Sequence, residues 1–305
     1  MNHHAHWQAG SDQVDGFLES LTARGCSSST VQTRDRSLAK FMSFASIRRT
    51  SRIQDVTIEM LEGYRLWLAD QRLKPSTVET HLRSVKHFFG WLERSMLLFS
   101  NPASALTVPR YHSRLGRVLT VGEVRALLDT PDTSRLLGLR DRAILELLYA
   151  TAVRRREAAL LTLSDIDLDR ETVRVLGKGG KERAVPVGRN AVGHIRRYLE
   201  AARPQLAGRS QQERRELWIN KDGEPLSEQV LGLLPRRYAR KARIAGQVSP
   251  HTLRRSCATH MLQNGAHPLM VSEMLGHADT KTLAHYLRIS VSDLKETHSR
   301  SNPGR

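Results

Sequence analysis

The stretch Thr172-Val-Arg-Val-Leu-Gly-Lys-Gly-Gly-Lys-Glu-Arg-Ala-Val-Pro-Val187 has the pattern of a β-hairpin. Apolar and polar side chains alternate over residues 172–176, and a second short run, Ala184-Val-Pro-Val187, follows. Between the runs, Gly179-Gly180 can adopt the positive φ angles that a tight hairpin turn requires. Because the segments on both sides show helical spacing, this hairpin predicts a mainly α fold with a small β component, of the α+β type.

Helical spacing dominates the first hundred residues, where no strand pattern competes. Ser11 precedes the first predicted helix, and Gly25 follows it at the position where a helix commonly ends in a left-handed residue. Ser76 and Glu79 form a predicted capping box at the start of the fourth helix. The apolar residues at helical spacing are Val14, Phe17, Leu18 and Leu21; Val31, Leu38, Phe41 and Met42; Ile58, Leu61, Tyr64 and Leu68; and Val78, Leu82, Val85, Phe89 and Leu92. We therefore predict a small helical bundle over residues 1–108.

Residues 109–118 are predicted to link this bundle to a second domain, since a chain of 305 residues is long enough for two domains. The stretch contains Pro109 and several basic side chains without periodicity. Thr120 and Glu123 form a capping box that predicts the first helix of the second domain. Further predicted helices begin at about Asn190, Ser227 and Pro250. Residues 119–305 should therefore form a mixed domain of helices and one hairpin.

The chain carries a strong positive charge, with 48 lysines and arginines against 31 aspartates and glutamates and a formal net charge of +17. Both signs are interspersed rather than gathered into a tail, which favours a folded protein that binds a polyanion such as DNA or RNA. The alternative at this point is a basic protein whose charge only keeps it in solution.

Cysteine content and hydropathy exclude several other classes of protein. Cys26 and Cys257 are far apart and form no CxxC or Cys/His cluster, so the sequence predicts neither a disulfide framework nor a zinc site. No run of about 18 apolar residues is present, and the N-terminus lacks the charged-then-apolar order of a signal peptide. We therefore expect no membrane association and a cytoplasmic location.

Two pairs of polar residues in the second domain are candidates for phosphate chemistry. His251 and Arg254 follow Ser249-Pro250, and on a helix they share a face near its positive N-terminal end. Glu157 comes three residues after Arg154, where its carboxylate could orient the guanidinium. Each pair has an ordinary alternative, an exposed helix face in the first case and a surface ion pair in the second.

Lys178 occupies the predicted tip of the hairpin, where its ammonium could project into a cleft or simply be solvated. The turn is not a phosphate-cradling P-loop, because it lacks the longer glycine frame and a Ser or Thr after the lysine. Near the C-terminus, Tyr286 lies nine residues after His277. A tyrosine hydroxyl, fixed cations and imidazoles together are suited to attack on a phosphodiester.

Two groups of basic residues outside these motifs are candidates for contact with a nucleic-acid backbone. Arg83 and Lys86 lie beside each other on the fourth predicted helix, where a solvated face is the alternative. A second block contains no acid, and residues 236, 240 and 243 of it are expected to share one helical face. Its members are Arg236, Arg237, Arg240, Lys241 and Arg243. We expect the second block to position a backbone rather than to read bases.

Together these motifs resemble those of the tyrosine recombinases, also called phage-type integrases, and most nearly the Xer-like branch. Leu147-Leu-Tyr-Ala-Thr-Ala-Val-Arg154-Arg-Arg-Glu157 is similar to the family's first-arginine motif, and Gly177-Lys-Gly-Gly-Lys-Glu-Arg183 to its β-hairpin lysine motif. His251-Thr-Leu-Arg254-Arg-Ser-Cys-Ala-Thr-His260 resembles its His-x-x-Arg motif, and Leu275-Gly-His277 and Tyr286 complete the order. The resemblance implies a SAM-like core-binding domain in the first bundle, which closes with the catalytic domain as a C-shaped clamp on DNA.

The resemblance implies a site-specific DNA recombinase that cleaves and rejoins DNA through a 3′-phosphotyrosyl intermediate. Tyr286 would be the nucleophile, His251 its base, and Lys178 the acid on the departing 5′-oxygen. Guanidinium and imidazole groups would stabilise the phosphorane, with Glu157 in support. The catalytic residues that the family pattern implies are Tyr286, Arg154, Lys178, His251, Arg254 and His277. Because these cations replace a divalent ion, no metal and no other cofactor is expected.

The partner that the resemblance implies is double-stranded DNA with a specific recombination site. Four protomers would act on two DNA sites, as a homo-tetramer or together with a related recombinase. The biological event stays open among integration, excision, transposition and dimer resolution. Two other functions also stay open, a nicking-closing enzyme of the type IB kind and a catalytically silent DNA-binding relative.

The chain departs from the family pattern in the first-arginine motif and around the nucleophile. Ala152 stands where glycine is usual, and Arg155-Arg156 replace an apolar and a small polar residue. His285 precedes the nucleophile and Leu287-Arg288 follow it. The segment Ser292-Asp-Leu-Lys-Glu-Thr-His298 could be a terminal helix that packs into a neighbouring subunit, or a frayed tail.

Overall fold

The computed structural model describes residues 11–50, 52–109, 116–177 and 180–276. The chain divides into two compact units, Met1–Arg114 and Leu115–Arg305. The division lies within residues 109–118, the range that the sequence predicts as a linker. Within the described ranges, no helix is long and apolar enough to cross a membrane.

The described residues of the first unit form four α-helices that bury an aromatic core. The helices are α1 (Ser11–Ala23), α2 (Ser28–Ile47), α3 (Ile58–Asp70) and α4 (Pro75–Arg94). Phe41 of α2 meets Tyr64 of α3 edge to face with ring centroids 5.1 Å apart, and Phe17 of α1 meets Phe88 of α4 in the same way at 5.5 Å. Such pairs add to the free energy gained from burying the rings themselves. The predicted helical bundle is therefore present.

The predicted capping box at the start of α4 is wrong. The helix begins at Pro75, and Lys74 precedes it as an N-cap that makes no side-chain cap hydrogen bond. Proline is favoured at the first helical position because its fixed φ suits the helix and its missing N–H would have no partner there. Glu79 instead accepts hydrogen bonds from Arg83, Nε at 2.9 Å and Nη2 at 2.7 Å.

Over its described residues, the second unit packs eight α-helices and a small sheet around one core. Its helices are α5 (Val121–Asp129), α6 (Leu136–Thr151), α7 (Arg155–Ala159), α8 (Arg189–Arg197), α9 (Arg203–Ala207), α10 (Glu228–Lys241), α11 (Pro250–Gln263) and α12 (Pro268–Leu275). The core centres on α6, whose apolar residues are buried on several faces. Thr120 and Glu123 form the capping box that the sequence predicts for α5.

The sheet of the second unit contains three antiparallel strands in the order β1-β2-β3. They are β1 (Ile166–Asp167), β2 (Thr172–Leu176) and β3 (Glu182–Pro186). Val173 pairs with Val185, so both valines face the core from adjacent strands. The predicted hairpin is confirmed, although β3 begins two residues earlier than the alternation predicts. A two-residue strand such as β1 is too short to produce a recognisable pattern.

A buried polar group fixes α10 against α6. The hydroxyl of Tyr238 donates to Asp141 Oδ2 at 2.7 Å, and Arg140 donates to Asp141 Oδ1 at 2.7 Å and to the carbonyl of Ile219 at 3.0 Å. These side chains are almost fully buried, so each of their hydrogen bonds offsets a desolvation cost. The contact sets the position of α10, which carries the second basic block.

Helix α6 requires a glycine at residue 138, because a side chain there would collide with the backbone. Among the helical glycines of the second unit, we predict that replacing this one lowers the free energy of unfolding most. A Cβ at Gly138 would lie 1.8 Å from the carbonyl oxygen of Asp132, whereas a Cβ at Gly193 in α8 would meet nothing within 4 Å. We expect Gly138→Ala to lower the free energy of unfolding by about 1–3 kcal/mol, as overpacking does. Gly193→Ala should raise it by up to about 1 kcal/mol through helix propensity. Urea-induced unfolding of both variants checks this, and equal effects would contradict it.

Candidate active site

The turn between α6 and α7 presents Arg154. Ala152 ends α6 in the left-handed conformation, with φ 49° and ψ 25°, and its side chain is fully buried. An L-residue other than glycine in this conformation costs roughly 1–2 kcal/mol. The departure from glycine at this position therefore keeps the turn at the expense of backbone strain. The turn brings Arg154 to the N-cap of α7.

Glu157 holds Arg154 through both its backbone and its side chain. The backbone N–H of Arg154 donates to Glu157 Oε2 at 2.8 Å, and Arg154 Nη1 donates to Glu157 Oε1 at 2.8 Å. The Glu157 side chain is only 5% exposed, while that of Arg154 is 36% exposed. The contact expected from their spacing is therefore present, with a buried carboxylate anchoring a guanidinium that reaches solvent.

A second arginine, Arg183 from β3, binds the same carboxylate. Its Nη1 donates to Glu157 Oε1 at 3.1 Å and its Nη2 to Glu157 Oε2 at 2.9 Å. Burial alone would raise the pKa of Glu157, but hydrogen bonds from Arg183 and Arg154 outweigh it and hold the pKa at about 2. Glu157 is therefore ionised at any pH where the protein would act.

Three successive carbonyls at the end of α12 each accept a hydrogen bond from a different arginine. Arg183 Nε donates to the Met274 carbonyl at 3.0 Å. Arg254 Nη2 donates to the Leu275 carbonyl at 2.6 Å, and Arg154 Nη2 to the Gly276 carbonyl at 3.2 Å. The last carbonyls of a helix have no partner within it and lie at its negative end, so they suit cations. These bonds bring the arginines of three separate motifs together.

Arg254 also joins α11 to the turn that presents Arg154. Its Nη1 donates to the carbonyl of the left-handed Ala152 at 2.6 Å, and the arginine is 4% exposed. Arg254 lies in the second turn of α11, whose N-terminus is capped by the Ser249 hydroxyl. Two arginines of the predicted catalytic set are thus fixed to the same turn and to adjacent carbonyls.

His251 lies exposed in the first turn of α11. Its pKa is lowered by the protein atoms that partly bury the ring and by the positive charges of Arg254, Arg155, Arg255 and Arg154. A lowered pKa keeps the imidazole neutral near pH 7, which is the form that accepts a proton. The electrostatics therefore suit His251 to the role of a base.

Several predicted residues lie outside the described residues. They are Lys178, His277 and Tyr286, together with His285, Leu287-Arg288 and Ser292–His298. The residues directly before two of them are described. A Cβ at Gly177 would lie 3.4 Å from Arg183 Nη1, and a Cβ at Gly276 would lie 3.0 Å from the same guanidinium. The segments that lead into Lys178 and His277 therefore meet at Arg183.

Tyrosines in the described part of the chain are poor nucleophiles. Burial raises the pKa of each of them, to about 12 for Tyr149 and Tyr198 and by more for Tyr64 and Tyr238. The hydroxyl of Tyr198 donates to the Leu217 carbonyl at 3.0 Å. The chain has six tyrosines, and the other two are Tyr111 and Tyr286. Two candidates for a nucleophilic phenol therefore remain.

The basic residues outside the arginine cluster occupy different settings. Arg83 is paired with Glu79, and Lys86 donates to the carbonyls of Ser104 and Leu106, each at 2.9 Å. Lys86 therefore holds the segment after α4 in place. No pattern in the sequence indicates this contact.

The second basic block lies at the exposed end of α10. Arg236, Arg237 and Arg240 are exposed there. The prediction that Arg243 shares their helical face is wrong, because α10 ends at Lys241 and Arg243 has a left-handed φ of 54°. Contact of these residues with a nucleic-acid backbone stays a prediction.

Two arginines of the site were not identified by the sequence patterns. In the sequence Arg183 stands out only as the end of the hairpin motif, although its spacing of two from Val185 places it on the core-facing side of the strand, where an arginine indicates a buried partner. Arg155, a departure from the family pattern, forms an ion pair with Glu228 at 2.7 Å. Across the described ranges, no group of three or more His, Cys, Asp or Glu residues is arranged to hold a metal ion.

Comparison with known proteins identifies relatives along both units. Residues 117–292 match the phage integrase family, and residues 14–96 match the N-terminal SAM-like domain of phage integrases. The chain is 36% identical over 280 residues to tyrosine recombinase XerD of Staphylococcus aureus strain Mu50, which covers 92% of this chain and 94% of that protein.

Two solved structures share the fold at lower sequence identity. The XerH recombinase bound to palindromic difH substrate, in a post-cleavage complex, aligns with a TM-score of 0.75 and 22% identity over 95% of this chain and 84% of that chain. A lambda integrase tetramer bound to a Holliday junction aligns with a TM-score of 0.68 and 18% identity over 90% and 76%. The predicted fold class is confirmed.

The ionised state of Glu157 predicts a specific loss of stability in acid. Its folded-state pKa of about 2 lies below the ordinary 4.5, so its contribution is present above pH 4.5 and is lost as the pH falls towards 2. About 2 kcal/mol of it should disappear between pH 7 and pH 3. The difference in free energy of unfolding between wild type and Glu157→Gln should therefore narrow by that amount, as measured with urea.

The exposed Glu213 provides the control for this measurement. Glu213→Gln also removes one carboxylate, but the gap between this variant and wild type should stay nearly constant over the same pH range. A constant gap for Glu157→Gln would show that its carboxylate is not stabilised by the two arginines.

Proposed function

Since the chain belongs to the phage integrase family and is a tyrosine-type site-specific DNA recombinase, we propose that Tyr286 cleaves and rejoins its DNA with the arginine cluster holding the phosphate. The observation that carries this proposal is the convergence of Arg154 and Arg254 on adjacent carbonyls at the end of α12. Two always-charged planar donors fixed side by side suit the non-bridging oxygens of one phosphate.

In the proposed reaction the Tyr286 oxygen forms a bond to the scissile phosphorus while the bond from phosphorus to the 5′-oxygen breaks. His251 takes the phenol proton, since a phenol with a pKa of about 10 is mostly protonated at neutral pH. Lys178 gives a proton to the departing 5′-oxygen. The products are a 3′-phosphotyrosyl link and a free 5′-hydroxyl.

The phosphorane formed during the attack carries extra negative charge on its non-bridging oxygens. Arg154, Arg254 and His277 are proposed to stabilise it, and Glu157 keeps Arg154 oriented without touching the DNA. Because the guanidiniums are ordered by protein carbonyls before DNA arrives, little reorganisation is needed at the moment of reaction. No ATP is consumed, because the covalent link stores the energy of the phosphodiester.

Attack by the 5′-hydroxyl of another strand on the phosphotyrosyl link then reseals the DNA and releases Tyr286. We propose that four protomers carry out this exchange on two DNA sites in the cytoplasm. The lambda integrase tetramer on a Holliday junction is a precedent for such an assembly in a protein of the same fold. The exposed Arg236, Arg237 and Arg240 on α10, with Arg83 and Lys86 in the first unit, are proposed to contact the DNA backbone.

The target site can be identified by capturing it. The protein is incubated with genomic DNA of the organism that encodes it, denatured without proteolysis, and the attached DNA is sequenced. Recovery of one recurrent sequence supports a site-specific recombinase. Capture spread evenly over the genome, with relaxation of supercoils by a lone monomer, would instead support a nicking-closing enzyme.

Tyr286 is predicted to be required for the covalent step and not for binding. On a nicked suicide substrate built from the captured site, Tyr286→Phe should bind DNA with an affinity within about threefold of wild type, because one hydroxyl contributes little to an interface dominated by phosphate contacts. It should form no covalent complex in denaturing gel electrophoresis.

The matched control for this variant is Tyr111→Phe, the other tyrosine outside the described residues. It should form the covalent complex at the wild-type rate. Formation of the covalent complex by Tyr286→Phe would contradict the assignment of Tyr286 as the nucleophile.

Lys178 is predicted to act as the general acid. Lys178→Ala should slow cleavage of ordinary DNA by about 100-fold or more, as loss of a general acid does. With sulfur in place of the departing 5′-oxygen, the variant should cleave at close to the wild-type rate, since a thiolate leaves without protonation. Single-turnover cleavage of the two substrates measures this, with Lys181→Ala as the control; equal slowing on both would remove Lys178 from the acid role.

A further inference from the structure

We propose that Arg183 is a positioning residue of the recombination site, which orients Arg154 through their shared partner Glu157. This inference rests on the proposed function, because it concerns how the phosphate-binding arginine is held. Three contacts of the Arg183 guanidinium carry it, two to the Glu157 oxygens and one to the Met274 carbonyl. Its side chain is only 15% exposed.

The four bonds to Glu157 leave the carboxylate no freedom to turn. Each oxygen accepts one bond from Arg154 and one from Arg183, at distances from 2.8 to 3.1 Å. Charge-assisted bonds of this kind are about twice as strong as neutral ones and add geometric specificity. Without Arg183 the carboxylate would keep only its two bonds to Arg154, and both are local contacts within one turn. The orientation of Arg154 would then depend on that turn alone.

The contacts form a closed ring that includes the end of α12. Arg183 binds Glu157 and the Met274 carbonyl, and Arg154 binds Glu157 and the Gly276 carbonyl. Arg183 therefore fixes both anchors of Arg154 at once. Removing the Arg183 side chain would detach β3 both from Glu157 and from the end of α12.

Close packing at Gly276 reinforces this arrangement. A Cβ there would approach the Arg183 guanidinium to 3.0 Å, and the φ of 61° disfavours any other residue. The backbone that precedes His277 thus lies against Arg183, and a side chain at residue 276 would require the guanidinium to shift. Arg154 keeps 36% of its side chain exposed while both of its anchors are set by Arg183.

Lysine cannot reproduce this set of contacts. Arg183 uses three nitrogens in one plane to reach two carboxylate oxygens and a carbonyl on opposite sides. A lysine ammonium is a point charge without the planar fork, so it can neutralise Glu157 but cannot hold both partners in one orientation. The conservative variant should therefore restore charge without restoring position.

The test measures single-turnover cleavage of the captured site by Arg183→Met and Arg183→Lys. We expect Arg183→Met to cleave about 100-fold more slowly, the size of effect that a small misplacement of a catalytic group produces. Its DNA affinity should stay within about threefold of wild type, because the largely buried Arg183 is proposed to act through Glu157 and not on DNA itself. The cleavage rate of Arg183→Lys should lie between the rates of wild type and of Arg183→Met.

Arg174→Met provides a matched control from the same hairpin. Arg174 lies on β2, is 54% exposed and pairs with Asp165, away from the arginine cluster. The Arg174→Met variant should cleave at the wild-type rate. If Arg174→Met and Arg183→Met slow cleavage equally, the effect belongs to the hairpin as a whole and the proposal fails.

Two modified substrates separate a positioning role from a structural one. A scissile methylphosphonate lacks the charge of one non-bridging oxygen, so it needs less from Arg154. On this substrate the defects of Arg183→Met and of Arg154→Ala should shrink together, while the 5′-thio substrate should relieve neither. Equal slowing on every substrate, or relief only with the 5′-thio group, would overturn the proposal.

A double-mutant cycle tests the path through Glu157. Glu157→Gln combined with Arg183→Met should cleave no more slowly than the slower single variant, because both changes open the same ring. Effects that multiply would show that Arg183 acts independently of Glu157. Failure of the wild-type protein to form any covalent complex would count against the proposed function instead, and would be seen before any variant is compared.

Discussion

The bond network around the Glu157 carboxylate is the interaction on which the arrangement of the site depends. Taking a carboxylate out of water is costly, and the attraction of one cation seldom offsets it unless the remaining lone pairs are also satisfied. Here both oxygens accept two bonds each, and the pKa falls to about 2 despite burial. The carboxylate can therefore act as a rigid anchor for two guanidiniums. Rigidity at this point matters because phosphoryl transfer depends on position and charge.

The end of α12 supplies the complementary half of the network. Its last carbonyls have no partner within the helix, so they accept from cations brought by three other elements. The helix end is where the side chains of three arginines distant in sequence meet, Arg154, Arg183 and Arg254. The same helix end leads directly into His277. Packing of the second unit thus determines the chemistry, because α12 takes its place by packing against α11 and β3.

Much of the fold follows from local sequence signals. The spacing of apolar residues identifies the helices of the first unit, and the Thr120 cap and the hairpin are recognisable because each combines a pattern with suitable turn residues. Three details could not be read in this way. The start of α4 depends on Pro75 rather than on Ser76, β1 is too short to alternate, and α10 ends before Arg243.

The candidate site is less predictable than the fold, for a physical reason. The pair of Arg154 and Glu157 is three residues apart on one turn, so spacing alone indicates the contact. The contact of Arg183 with Glu157 spans 26 residues and exists only because the tertiary fold brings these two side chains together, which no local pattern encodes. The carbonyl partners of Lys86 are likewise tertiary, at separations of 18 and 20 residues. Side chains whose partners are backbone groups give no sign of this in a sequence.

Identification of the residue that becomes linked to DNA tests the central claim most directly. The trapped complex can be digested with nuclease and trypsin, and the nucleotide-bearing peptide sequenced by mass spectrometry. Cleavage after Lys281 and Arg288 releases a short peptide that contains Tyr286 as its sole tyrosine. We predict a 3′-phosphonucleotide on that tyrosine. The same modification on Tyr111, on a serine, or on any tyrosine of the buried core would contradict the account.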